Sequence, residues 1–176
     1  MCIRDRLDAL RAKAQLSQKL DCHVDDIYRL AIFGNHSPTM FPDLENTLVV
    51  GKNAYQEIND HGWVENEFLP KIQQRGAEII KARGASSASS AARAACDTVK
   101  AVEHPTRSGD VFNAAVMSDG AYGMPEGIFS GFPLISDGKG SVEIVRDYSL
   151  SSFAKAGLKK TADELVEERD LVKDLI

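Results

Sequence analysis

Two apolar runs, residues 128–135 and 142–145, are separated by Asp137-Gly138-Lys139-Gly140, the strongest local constraint in this 176-residue chain. An Asp-Gly pair between apolar runs directs a tight reversal, because glycine reaches the positive-φ conformations such turns need without a Cβ clash. The two runs are therefore predicted to pair as an antiparallel hairpin, and residues 111–118 read as a further strand. Long stretches with helical spacing surround them. Leu7, Leu10, Ala14 and Leu20 mark a helix over 7–20, with Arg11, Lys13 and Lys19 between them. Val64, Phe68 and Ile72, continued by Ile79 and Ile80, mark a helix over 63–82, with Asn59 and Asp60 as candidate caps. Ser86-Ser87 opens an alanine-rich helix over 88–102, expected to be buried because small side chains permit close packing. Ser151 or Ser152 starts a last helix with Leu158, Leu165 and Val172 on one face. Residues 27–33 read as a short buried strand, 34–43 as a loop because of Gly34, Pro38 and Pro42, and 47–51 as another short strand. The order helix, strand, helices, strands, helix predicts an α+β fold: a twisted, mostly antiparallel sheet packed by long helices.

The length suits one domain with a self-supporting core. Apolar residues make up 43% and charged residues 27%, the balance of a globular protein. A formal charge of −5 argues against non-specific nucleic-acid binding, and no apolar run is long enough to span a membrane. Cys2, Cys22 and Cys96 are odd in number and widely spaced, which suggests neither a disulfide framework nor a zinc site; a reducing, cytoplasmic setting is expected. Met1-Cys2-Ile3-Arg4-Asp5-Arg6 is too weakly apolar for a signal peptide. Met-Cys-Ile-Arg-Asp also reads as the in-frame translation of a common transposase adapter. Residues 1–6 are therefore expected to be a non-native leader and 7–176 the domain proper.

Three local features carry candidate chemistry. His36, in Gly34-Asn35-His36-Ser37, lies between a strand and a proline-rich loop, where a rigid scaffold can present a proton-exchanging side chain. By itself it is equally a surface or structural histidine. Asp8 and Arg11 are three apart on one helix face, the spacing of an ordinary surface ion pair. The same spacing also lets a guanidinium fork hold a substrate carboxylate while the aspartate orients an imidazole. Ser86 and Ser87 stand at a helix start, where they cap or help to bind an anion.

Taken in order, these features resemble the lactate/malate dehydrogenase family, nearest to its malate dehydrogenase branch of cytosolic type. The resemblance rests on Arg6-Leu7-Asp8-Ala9-Leu10-Arg11, Gly34-Asn35-His36-Ser37, Pro42-Asp43, Gln73-Gln74-Arg75-Gly76-Ala77 and Ile80-Lys81-Ala82-Arg83. Ser86-Ser87-Ala88 and Ser118-Asp119-Gly120-Ala121-Tyr122-Gly123-Met124-Pro125-Glu126-Gly127 complete it. It covers nearly all of residues 7–170 and implies the family's C-terminal, substrate-binding domain. It also implies His36 as the proton acceptor when a substrate hydroxyl is oxidised. Asp8 would orient that imidazole and stabilise its charged form, and Arg11 would clamp the substrate's C1 carboxylate. Ser86 and Ser87 would line the pocket, and His36 with Asn35 would meet the cofactor, NAD. The implied substrate is the dicarboxylate pair malate and oxaloacetate, and the implied assembly is a homodimer through helix faces. Ala9-Leu10 replace a His-Asn pair frequent in the family, at positions that are not principal catalytic ones.

No Gly-x-Gly-x-x-Gly occurs, so no dinucleotide-binding (Rossmann) unit is expected here. The family's lid, with the arginines that read the far carboxylate, would lie upstream of Asp8. The chain is accordingly expected to be a catalytic half that does not turn over malate alone. A lactate-type 2-hydroxy-acid dehydrogenase would use the same three residues, and a non-catalytic oligomerisation module is the other alternative. A metal hydrolase built on His36, Asp43 and His61 is disfavoured, because these residues have no compact ligand spacing.

Overall fold

Residues 4–175 are described by a computed structural model of the chain. Of the expected leader, residues 1–3 lie outside the described residues, as does Ile176, while Arg4, Asp5 and Arg6 form the first turn of helix α1 (Arg4–Leu20). This helix is central: Asp5, Asp8, Ala9, Ala12 and Leu16 are buried along it, and it ends where Asp21 turns left-handed at φ 48°. The strand expected over 27–33 is two strands, β1 (Ile27–Tyr28) and β2 (Ala31–Phe33). Arg29 separates them with φ 56°, a conformation that ends pairing on one sheet and redirects the chain to another.

The loop expected over 34–43 ends in a strand, β3 (Phe41–Asp43), which pairs antiparallel with β2 and makes the intervening residues a hairpin loop. β4 (Leu48–Val49) and β5 (Lys52–Asn53) join β1 in a second antiparallel sheet. The third sheet holds β6 (Phe112–Met117), β7 (Phe129–Ser136) and β8 (Val142–Ile144), with Leu134 opposite Ile144 and Ser136 opposite Val142 across the Asp137-Gly138 turn. The fold is α+β, but with three small antiparallel sheets in place of one. Gly34 and Gly131 exchange backbone hydrogen bonds at 3.2 and 2.8 Å and so tie the β2–β3 hairpin to β7.

After a short helix α2 (Ala54–Ile58), Asp60 caps the next helical stretch by accepting from the Trp63 N–H at 2.9 Å. That stretch runs from α3 (His61–Trp63) through one wide π turn, Val64–Phe68, into α4 (Leu69–Arg83). α5 (Ala88–Glu103) departs from its expected burial: Ala94, Asp97 and Thr98 are buried, while most of its serines and alanines face outward. A narrow stripe packs on α1, and the small residues beyond it have no covering element among the described residues. α6 (Ser152–Val172), capped by the Ser151 hydroxyl, buries Leu158 and Leu165; Val172 lies past the end of that contact and is exposed.

The core has two parts. Phe33, Phe112, Phe132, Leu134, Leu158 and Leu165 fill the space between the β6–β7–β8 sheet and α6. Leu16, Ile27, Ile32, Phe68 and Ile72 pack α1 against α4 and the π turn. Gly34 sits where the two meet, at φ 94°, and a Cβ there would lie 2.2 Å from the Thr161 side chain on α6. Gly34→Ala combines this clash with a backbone region that L-residues avoid. It is expected to destabilise the chain by about 2–4 kcal/mol, read as a fall in the urea midpoint. Gly51→Ala, at φ 78° with open space around it, isolates the backbone part.

Candidate active site

Asp8 is fully buried in the second turn of α1, where an unpaired carboxylate would be very costly. Both of its oxygens are engaged. Oδ1 accepts from Arg11 Nη1 at 3.1 Å, one turn further along the helix, and Oδ2 lies 2.5 Å from His36 Nδ1. His36 comes from the β2–β3 hairpin loop, so strand, loop and helix converge on one carboxylate. With Asp8 ionised, Nδ1 carries the ring hydrogen and Nε2 is left for proton exchange.

The structure thus brings Asp8, Arg11 and His36 together. Arg11, His36, Ser86 and Ser87 border one cavity of about 360 Å³, closed on its apolar side by Leu7 and Ile80. Ser86 and Ser87 reach it because Gly84 ends α4 in a left-handed turn, and the chain then reverses into α5. Ser87 Oγ pairs with Ser90 Oγ at 2.6 Å. Asn35 is not among the cavity's lining residues: its side-chain amide donates to Glu164 and Glu168 on α6, at 3.2 and 2.8 Å. A larger hollow of about 680 Å³ lies over the outer face of the β6–β7–β8 sheet, bordered by Val116, Ile135 and Arg146. No histidine lines it, whereas the smaller cavity is bordered by His36, whose ring is paired with Asp8.

Sequence reasoning missed two groups around this site. Asp5 is buried one turn before Asp8, its carboxyl packed against Gly131, and its Oδ2 has no partner among the described residues. Burial first, then repulsion from Asp8, pushes its pKa up to about 7; His36 and the backbone N–H groups of Asp5 and Ala115 offset this only in part. The second group is Glu164 on α6, beneath the His36 loop. Neither carries a local motif.

The metal reading finds no support: among the described residues no three His, Cys, Asp or Glu side chains are grouped as ligands. His61 Nδ1 pairs with the Tyr55 hydroxyl at 2.5 Å, and the Asp43 carboxylate accepts from the backbone of Glu45 and Asn46. No helix among the described residues is long and apolar enough to cross a membrane.

The family profile of the lactate/malate dehydrogenase α/β C-terminal domain matches residues 5–176. The chain belongs to the lactate/malate dehydrogenase family. Its relatives include a malate dehydrogenase of Magnetococcus marinus, 47% identical over 171 residues, which are 97% of this chain and 52% of that protein. Another is a malate dehydrogenase of Cutibacterium acnes, 46% identical over 97% of this chain and 51% of that protein. The chain spans about half the length of these relatives. Among solved structures, malate dehydrogenase of Naegleria fowleri superposes with a TM-score of 0.90 at 40% identity, over 97% of this chain and 52% of that one. A lactate dehydrogenase of Trichomonas vaginalis, in complex with NADH and oxamate, superposes at 0.88 with 27% identity, over 96% and 52%. Asp8, Arg11 and His36 all lie within the matched residues.

Proposed function

We propose that this chain is the substrate-binding, catalytic half of an NAD-dependent malate dehydrogenase, interconverting malate and oxaloacetate. The observation that carries the proposal is the buried Asp8 carboxylate, shared between His36 and Arg11 at the wall of one cavity. Arg11 presents N–H groups beyond those spent on Asp8, and these can hold the C1 carboxylate of a 2-hydroxy acid. That contact would place the C2 hydroxyl toward Nε2 of His36, which takes the hydroxyl proton while Asp8 stabilises the resulting imidazolium. Ser86 and Ser87 offer hydroxyls to the remaining polar atoms of the substrate.

A cavity of about 360 Å³ suits a four-carbon dicarboxylate beside one end of a dinucleotide, and the chain offers no Gly-x-Gly-x-x-Gly for the other end. When bound, NAD supplies the hydride acceptor. His36 borders the cavity and would meet the reacting end; Asn35 would contribute by fixing the loop that carries His36. A dimer through the helix faces and a cytoplasmic setting complete the reading. They follow the family resemblance, the pattern of exposed helix faces and the cysteine spacing.

A lactate-type dehydrogenase is the second reading, favoured by the close superposition on the Trichomonas vaginalis enzyme. Both substrates share the carboxylate and hydroxyl that Arg11 and His36 would handle, so the test lies in turnover. The purified chain alone is expected to show no NAD-linked oxidation of malate. Fusing ahead of Leu7 the half of the Magnetococcus marinus relative that this chain does not cover is expected to give malate turnover at least a hundredfold above lactate in kcat/KM. Malate turnover by the chain alone would overturn the half-enzyme reading, and a well-folded fusion that prefers lactate would sink the malate assignment.

A further inference from the structure

The His36 loop is held from below by α6. Glu164 Oε2 accepts from the Ser37 hydroxyl at 2.5 Å, the Thr39 hydroxyl at 2.5 Å and the Asn35 amide at 3.2 Å. One helical turn before it, Thr161 Oγ1 accepts from the Asn35 backbone N–H at 2.8 Å and lies 3.0 Å from the Thr39 hydroxyl. The residues on both sides of His36 are therefore fastened to one helix, while the imidazole between them points the other way, to Asp8 on α1. Three of these contacts come from Asn35 and Ser37, the immediate neighbours of His36 in the chain.

The charge state of Glu164 fits this duty. Burial alone would raise its proton affinity, but hydrogen bonds from Ser37, Thr39 and Asn35, with Lys160 nearby, hold the carboxyl below the ordinary glutamate range. An ionised carboxylate accepts hydrogen bonds only, which suits two hydroxyls and an amide converging on it. A surface glutamate without this role would point to water and leave the loop hydroxyls to solvent.

We propose that Glu164, with Thr161, is a positioning residue of this dehydrogenase site: it fixes the Asn35–Ser37 segment so that His36 Nδ1 meets Asp8. The residue touches neither cavity nor imidazole, so its effect passes through the loop. A displacement of about 1 Å in such a pair is enough to cost on the order of a hundredfold in rate.

The proposal rests on the His36–Asp8 reading above, and the test separates the two. The readout is the proton NMR signal of the His36 Nδ1–H in the intact chain, which a 2.5 Å contact with a carboxylate shifts far downfield. Asp8→Asn is expected to abolish that signal. Glu164→Ala is expected to broaden or remove it with Asp8 unchanged, while Glu164→Gln, which keeps an acceptor oxygen, retains at least half its intensity. Circular dichroism checks the fold of each variant. Should Glu164→Ala not fold, Ser37→Ala and Thr39→Val, each removing one tie, are expected to weaken the signal stepwise. A folded Glu164→Ala chain, or a Ser37→Ala, Thr39→Val pair, with the downfield signal intact overturns the positioning role and leaves the His36–Asp8 reading standing. Loss of stability without change in the signal likewise overturns it. If Asp8→Asn leaves the signal in place, the His36–Asp8 reading itself fails, and the positioning role fails with it.

Discussion

In a fusion supplied with a cofactor domain, His36→Ala is expected to lower kcat for malate oxidation by about a hundred- to ten-thousandfold, the usual worth of a positioned acid–base group. Asp8→Asn is expected to cost nearly as much. An asparagine there cannot stabilise the charge that appears on the ring, and its amide can present N–H where an acceptor is needed. The double variant is expected to be little worse than either single one, because the two side chains act as one unit joined at 2.5 Å. Arg11→Lys keeps the charge but loses the planar fork, so its effect should fall mainly on KM for malate. Steady-state kinetics across the four variants checks the pattern. Additive losses for His36 and Asp8 would mean that they do not work as a pair.

Asp5→Asn is expected to make the chain more stable at pH 8, which is unusual for a buried substitution. The native carboxyl has its pKa pushed up to about 7, against an ordinary 3.8, by burial first and by Asp8 second. The folded state therefore holds a proton that the unfolded chain has released. The stability this group allows is complete below about pH 4 and falls as the pH rises towards 7, after which the loss is complete. The full loss is at most ~4 kcal/mol, with part of it recovered by relaxation of the surroundings. Asp43, pushed up to about 6 by burial, acts in the same direction and remains in the variant. Urea midpoints for both chains between pH 4 and 8 should converge at the acid end and separate towards the alkaline end. Parallel curves would show that the Asp5 carboxyl is solvated in the folded chain.

What the sequence disclosed about this fold was local or contiguous. The 137–140 turn needs only its own glycines and the two runs beside it, and the hairpin forms there with the expected partners. The motif Gly34-Asn35-His36-Ser37 and the Asp8–Arg11 spacing are each readable within one element. Distance in the chain hid the rest. Glu164 is 127 positions from the Ser37 hydroxyl it accepts from, and nothing in its own helix distinguishes it from Glu167 or Glu168. Arg29 has no glycine-like signature, yet its left-handed backbone divides one apolar run between two sheets. The alanines of α5 permit close approach without ensuring that another element approaches, and the expected burial failed for that reason.

The π turn at Val64–Phe68 sets an angular offset for everything after it. An α-helix advances about 100° per residue, so one residue absorbed in a wider turn rotates the whole downstream segment by roughly that angle relative to an unbroken helix. Ile72 then faces inward while Gly76 and Ile80 look onto the cavity beside His36. The length of a five-residue segment with no polar function of its own thus acts as a phase dial. It decides which wall the site receives.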